Sequence, residues 1–335
     1  MNENANRTVA VIGTGGTISS VGKHSLDLVA YPDNQKIHEI DELLDVFPEA
    51  RAVADVRPVR FRALGSPKIT PDDWLELAGT IQDLAQDGSG VDGIAVTHGT
   101  SSLEETAYFL NLTLKIGIPV VLVGAQRPSS GLGTDAGINL LNAIRVAAEP
   151  ASRGRGVLAM LNDEIHAARE VMKTSTLRVQ TFKSPDFGLL GHADADRIVY
   201  YRSPVRRGMP DTEFDLSTVD TLPRVDIAFS YAGADGAAID AFVAAGAKGI
   251  VSAGFAPGFC TPGEQAALEA AEREGVIVVQ SSRAGSGRVV PLKSMRAANS
   301  VLADNLTPQK ARVLLMLALT RSSDPAVIQR MFDSY

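Results

Sequence analysis

Short β-branched runs that stop at glycines, each followed by a stretch of helical length, recur along this chain and constrain its fold more than any other feature. Thr8 to Ile12 reads as a buried strand ending at Gly13-Thr14-Gly15-Gly16. Ile94 to Val96 is a second strand, followed by His98-Gly99-Thr100 and a helix from about Leu103 to Lys115. Pro119 to Val123 is a third. Gly137 to Ala148 is a helix whose start Asp135 marks, and Val157 to Leu161 is a fourth strand. Strands separated by helices of ~10–15 residues predict an α/β fold around a parallel sheet. Ligands of such sheets sit beyond the carboxyl ends of the strands, where Thr17 and Thr100 both fall.

From about Tyr201 to Pro223 these signals lapse, and Ser203-Pro204, Arg206-Arg207-Gly208 and Met209-Pro210-Asp211 read as a linker. The pattern then resumes, with strands near 225–229, 249–251 and 276–279 and helices near 262–274, 308–320 and 325–332. The last two helices open on a proline, whose missing N–H costs nothing in a first turn. A chain of 335 residues exceeds the ~250–300 that one core serves. The expectation is a large N-terminal α/β domain with a parallel sheet over 1–200, a linker over 201–222 and a smaller α/β domain over 223–335.

The net charge is −7, from 32 basic and 39 acidic residues, and no basic run occurs. That argues against nucleic acid or an anionic membrane as partner. Cys260 is the sole cysteine, so no internal disulfide forms, and a cytoplasmic home is compatible with this. The amino terminus is polar and runs directly into the first strand, with no signal-like segment before it. No apolar run approaches the ~20 residues of a membrane helix. A soluble cytoplasmic protein is expected.

In Gly13-Thr14-Gly15-Gly16-Thr17-Ile18, a dinucleotide fingerprint would need glycine at position 18, and a P-loop would need a Gly-Lys-Ser/Thr ending. What remains is a glycine turn presenting two threonine hydroxyls and backbone N–H groups. It suits either a nucleophile with part of an oxyanion hole or a tight turn whose threonines satisfy nearby backbone. In Thr97-His98-Gly99-Thr100-Ser101-Ser102-Leu103-Glu104-Glu105, Ser101 or Ser102 suits a helix N-cap, with Glu104 or Glu105 completing a capping box. His98 reads as a packed or capped histidine before a catalytic base, and Lys173 by default as a solvated lysine. The five histidines are scattered, none at ligand spacing with another or with Cys260, so no metal and no cofactor is expected. No nucleophile-elbow pattern supports a serine triad.

Taken in order, these segments resemble the bacterial-type asparaginase/glutaminase family. Thr14-Gly15-Gly16-Thr17-Ile18 matches its first signature; Thr97-His98-Gly99-Thr100 with Leu103 to Leu110 matches its second. Further matches are Val121 to Ala125 with Arg127-Pro128-Ser129, Lys173-Thr174, Gly249 to Gly254, Ser281-Ser282-Arg283 and Asn305 to Arg312. The resemblance implies that Thr17 attacks a side-chain amide, that Gly16 beside it binds the substrate, and that Tyr31 in the mobile loop after it assists. It implies that Thr100 and Lys173 manage protons, that Ser66 binds a substrate carboxylate, and that ammonia leaves before water resolves an acyl-threonine. It also implies a homotetramer built from close dimers, with a small-molecule amide as substrate.

The departures from the family pattern cluster on one function. Where the family holds the substrate's α-ammonium with an aspartate after the threonine, this chain has Ser101; where it follows the serine with glutamine, this chain has Pro67. The partner subunit's polar residues correspond here to Phe259 and Ser294. Hydrogen bonds to charged groups are worth ~1.5–3 kcal/mol each, and an unpaired buried charge costs several more. The expectation is an amidohydrolase acting on an amide, lactam or ester without a free α-ammonium. An ordinary asparaginase or glutaminase is the alternative, and a non-catalytic binder of small carboxylates a further one.

Overall fold

Thr8 to Gly15 forms strand β1, and each of its residues is buried. A strand hidden on both faces belongs in the middle of a covered sheet. In the computed structural model, which describes residues 6–86, 88–292, 297 and 299–335, β1 pairs in parallel with β2 (Asp55–Leu64) on one side and β3 (Gly93–Thr97) on the other. Parallel strands β4 (Val120–Val123) and β5 (Val157–Leu161) follow β3. The antiparallel strand β6 (Glu164–Ala167) comes next. A separate two-stranded ribbon, β7 (Met172–Lys173) with β8 (Phe182–Lys183), interrupts the chain before β9 (Gly191–Ala193) and β10 (Ile198–Tyr200) complete the sheet. The order is β10-β9-β6-β5-β4-β3-β1-β2.

Helices cover both faces. α1 (Ile40–Val46) lies against β1 and β2; α2 (Pro71–Leu84) packs on α3 (Leu103–Thr113); α4 (Ala136–Ala148) spans β1, β3, β4 and β5. Val9, Val11, Ala95, Val121, Val123, Leu158 and Met160 share one core with Leu43, Leu140 and Ile144 of α1 and α4. The alternate residues Ala10, Ile12, Ile94, Val96, Val120 and Leu122 are equally buried and therefore face the other layer. There the Trp74 and Phe109 rings stack at 5.4 Å between α2 and α3. β2 lies to one side of β1, whereas β3, β4 and β5 extend to the other, so the winding reverses between β1 and β3. That reversal opens the crevice where α/β sheets take ligands.

The chain divides into two compact units at Thr212/Glu213, within the span that reads as a linker. The residues before the division are packed rather than free: Met209 is buried and its N–H donates to the Asn111 carbonyl at 2.8 Å. The second unit has a parallel four-stranded sheet, β11 (Val225–Phe229), β12 (Gly249–Gly254), β13 (Ile277–Ser282) and β14 (Val301–Leu302), in that order. Its helices are α5 (Ala237–Ala244), α6 (Pro262–Arg273), α7 (Pro308–Leu319) and α8 (Pro325–Ser334). Thr261 and Glu264 close a capping box on α6, and Asp324 accepts from the Ala326 N–H at the start of α8. Among the described residues, no helix is long and apolar enough to cross a membrane.

Candidate active site

The turn after β1 rests on two glycines with positive φ, 88° at Gly15 and 85° at Gly16. A Cβ on Gly16 would fall 2.4 Å from the Gly99 Cα, so only glycine lets this turn lie against the end of β3. Thr17 opens a short 3-10 turn held by Ser20, whose hydroxyl donates to the Gly16 carbonyl at 2.9 Å. The chain then travels out and returns: the Val21 N–H donates to the Lys36 carbonyl at 2.9 Å and the His38 N–H to the Ser19 carbonyl at 2.8 Å. This return carries Tyr31 back over the turn, and its hydroxyl stands 2.8 Å from Thr17 Oγ1.

Gly13 is in register with Thr97, so Thr17 and Thr100 leave adjacent strands a few residues beyond a paired position. Thr100 is buried, and its Oγ1 accepts from Lys173 Nζ at 2.8 Å. The Lys173 N–H donates to Glu104 Oε2 at 2.7 Å. Burial depresses the Lys173 pKa below that of ordinary lysine, while the Glu104 charge opposes the shift. Lys173 is therefore not a solvated surface lysine. Nor does Glu104 close a capping box: Ser102 is the N-cap residue of α3 without a side-chain cap, its hydroxyl donates to the Ser66 carbonyl at 3.2 Å, and Glu104 serves Lys173 instead.

Ser66 follows β2, whose Leu64 is in register with Gly15. A Cβ on Gly99 would fall 2.3 Å from the Ser66 Cβ, and Ser66 Oγ accepts from the Ser101 N–H at 2.9 Å. Ser66 and Ser101 thus meet over the Gly99 backbone, with Pro67 exposed beside them. Among the described residues, the hydrogen bonds to Ser66 come from the Ser101 N–H and the Ser102 hydroxyl, both neutral groups.

Several groups of the two signatures are occupied elsewhere. Thr14 Oγ1 donates to the Thr97 carbonyl at 2.7 Å, and the Gly16 N–H donates to the Leu64 carbonyl at 2.8 Å. Neither is left for a substrate oxyanion. His98 is buried, its Nδ1 lies 2.8 Å from the Gly99 carbonyl, and burial pushes its pKa down to about 4, which keeps the ring neutral near pH 7. Asp135 stands at the N-cap of α4 but does not cap it; its carboxylate accepts from the Gln126 and Arg127 N–H groups, both at 3.0 Å.

Phe259 belongs to the second unit, in a tight turn where Phe255 and Phe259 exchange backbone hydrogen bonds of 2.6 and 2.7 Å. The Arg283 guanidinium stacks over the Phe255 ring at 4.4 Å. Ser294 lies outside the described residues. Among the described residues, no group of three or more His, Cys, Asp or Glu is arranged to hold a metal ion.

The residue that sequence reasoning passed over is Glu104. It was visible as a member of the second signature, but its partner lies 69 positions further along the chain.

Residues 8–206 match the family model described as Asparaginase, N-terminal, and residues 224–332 match the Glutaminase/Asparaginase C-terminal domain. The chain is 41% identical to L-asparaginase 2 of Bacillus subtilis (strain 168), over 98% of this chain and 86% of that protein. It is 38% identical to the Glutaminase-asparaginase of Pseudomonas fluorescens biotype A, over 98% and 90%. Its fold superposes on the crystal structure of a probable cytoplasmic L-asparaginase from Campylobacter jejuni with a TM-score of 0.93 at 39% identity, covering 98% of this chain and all of that one.

Proposed function

This chain belongs to the asparaginase family, a family of hydrolases of carbon–nitrogen bonds in amides, and on that premise we propose that it cleaves a small amide through an acyl-enzyme on Thr17. The observation that carries the reading is a pair of short contacts at the β1/β3 crevice: Thr17 Oγ1 to Tyr31 at 2.8 Å and Lys173 Nζ to Thr100 Oγ1 at 2.8 Å. A threonine hydroxyl is a weak nucleophile and needs a proton acceptor close by. Thr17 Oγ attacks the amide carbonyl, its proton passes by way of Tyr31 to the departing nitrogen, and ammonia leaves. Water then gives a proton to the Thr100–Lys173 pair and attacks the ester. The carboxylic acid leaves, and Thr17 recovers its hydrogen.

The substrate we propose carries a carboxylate at the Ser66 end and no α-ammonium. Support comes from the Ser66–Ser101 pair, whose hydrogen bonds among the described residues are with neutral groups, and from Pro67 and Phe259, which offer no acceptor side chain. Phe259 and Ser294 act in this reading from a neighbouring subunit of a homotetramer built from close dimers, which light scattering tests by counting four chains per particle. The second reading is ordinary L-asparaginase or glutaminase activity, favoured by the 38–41% identity to proteins so named.

Ammonia release from asparagine, glutamine, succinamate and uncharged amides separates the two. We expect succinamate to exceed asparagine in kcat/KM by at least ~10-fold, the worth of one lost charge-assisted contact. Ser101→Asp should shift the asparagine-to-succinamate ratio toward asparagine by a similar factor. Efficient asparagine turnover at micromolar to low-millimolar concentration would establish the second reading, and a flat ratio in the variant would remove Ser101 from the specificity argument.

A further inference from the structure

Lys173 sits in a ribbon that is not part of the main sheet. β7 and β8 contribute two residues each, with Lys173 opposite Phe182 and Met172 opposite Lys183. A ladder this short holds little by itself. What fixes the ribbon lies at its ends. At the tip, Thr174 donates through both N–H and Oγ1 to the Thr181 carbonyl, at 2.8 and 2.7 Å, and buried Thr181 Oγ1 donates to the Ser175 carbonyl at 2.6 Å.

At the base, four side chains tie β8 to β6. Lys183 Nζ donates to both Glu164 carboxylate oxygens, at 2.8 and 2.9 Å. Glu164 Oε2 lies 3.3 Å from His166 Nε2, and His166 Nδ1 lies 3.0 Å from Ser184 Oγ. The series begins and ends on adjacent residues, Lys183 and Ser184, and passes through Glu164 and His166, which alternation places on one face of β6. It forms a polar ring in which the approach of His166 Nε2 to Glu164 is electrostatic, since that nitrogen makes no hydrogen bond among the described residues. His166 holds the partly buried Glu164 carboxyl down to about 2, with help from Lys183 and against the effect of burial. Serine, histidine and carboxylate in series also make up a hydrolytic triad, but Ser184 and His166 are only 5% and 1% exposed, so no substrate reaches that hydroxyl.

We infer that Glu164, His166, Lys183 and Ser184 position Lys173 for catalysis: the ring pins β8 to the sheet, and β8 in turn holds β7 so that Lys173 Nζ meets Thr100 Oγ1. Glu104 fixes the backbone of the same residue from the α3 side. The inference rests on Lys173 being the proton carrier, and the Lys183–Glu164 ion pair with the His166–Ser184 contact beside it supplies a cross-strand tie that a two-residue ladder lacks.

The test uses the full chain, thermal unfolding and the amide that releases ammonia fastest. Lys183→Met and Glu164→Gln should each lower kcat by ~5–20-fold, the scale of a sub-ångström displacement of a catalytic group, with KM within about twofold. Lys183→Arg, which keeps the ion pair, should retain at least half of the parent kcat. The double variant should be no worse than either single one, because both break the same contact. If Lys183→Met and Glu164→Gln lower only the unfolding temperature, or lower kcat and raise KM alike with no rescue by arginine, the ring is structural and the inference is overturned. Lys173→Met run alongside tells that failure from another: full activity in that variant would discard Lys173 as proton carrier and the ring's role with it.

Discussion

Thr17→Val is expected to lower kcat by at least ~10^4-fold, the order seen when a nucleophile is deleted from a concerted constellation. Valine nearly matches threonine in shape, and the turn does not depend on the lost hydroxyl. Its backbone bonds run from the Ser19 N–H to the Gly16 carbonyl at 3.1 Å and from the Ser20 N–H to the Thr17 carbonyl at 3.0 Å. The unfolding temperature should therefore stay close to that of the parent, which separates lost chemistry from lost structure. Thr17→Ser keeps the oxygen and should retain far more activity. Tyr31→Phe keeps the nucleophile but removes its 2.8 Å partner, and should cost ~10²–10⁴-fold, the worth of a positioned proton-transfer group. Mass spectrometry of a rapidly quenched reaction should find the acyl group on the peptide containing Thr17 and on none in the valine variant. More than about a hundredth of parental turnover in Thr17→Val would move the nucleophile elsewhere, with Thr100 the first candidate.

The elements that the sequence reveals are those whose local pattern and burial agree. β1, β3, β4 and β5 are buried throughout and read as unbroken apolar runs ending at polar or glycine turns. β2 carries no such signal because it is an edge strand: Arg57, Arg60 and Arg62 break up its apolar run, and Pro58 lacks the N–H that a central strand would need. Its charges are absorbed laterally, as in the Arg60 fork on Asp41 at 2.7 and 2.6 Å. β7 and β8 are too short to carry any periodicity. At the site, Gly15-Gly16 announces a turn that only glycine can make, and Thr17 stands where such a turn delivers a side chain. Sequence physics alone assigns Lys173 to solvent, because the hydroxyl and carboxylate that draw it inward come from the turn after β3 and from α3, 73 and 69 positions away. Only the ordered set of family segments brings those positions into one reading.

Lys173→Met should lower kcat by ~10²–10⁴-fold, and its pH behaviour identifies the cause. In the parent, burial depresses the lysine pKa against the pull of Glu104, so the neutral amine becomes available at a lower pH than in free lysine. kcat should rise with pH through that depressed value and level off before ordinary lysine titrates, and this limb should vanish in the methionine variant. Lys173→Arg should not restore it, since a guanidinium stays protonated throughout. Stability should move in step. Between the depressed folded pKa and the unfolded value near 10.5, the unfolded chain binds more protons than the folded one, so the parent gains stability as pH rises across that window. Below the window the folded parent carries the full cost of a partly buried ammonium, which the methionine variant never bears. The unfolding temperature of the variant minus that of the parent should accordingly fall as pH is raised. A difference independent of pH would mean that Lys173 is no more costly to protonate in the fold than in water, and a surviving kcat limb in Lys173→Met would assign the titration to another group.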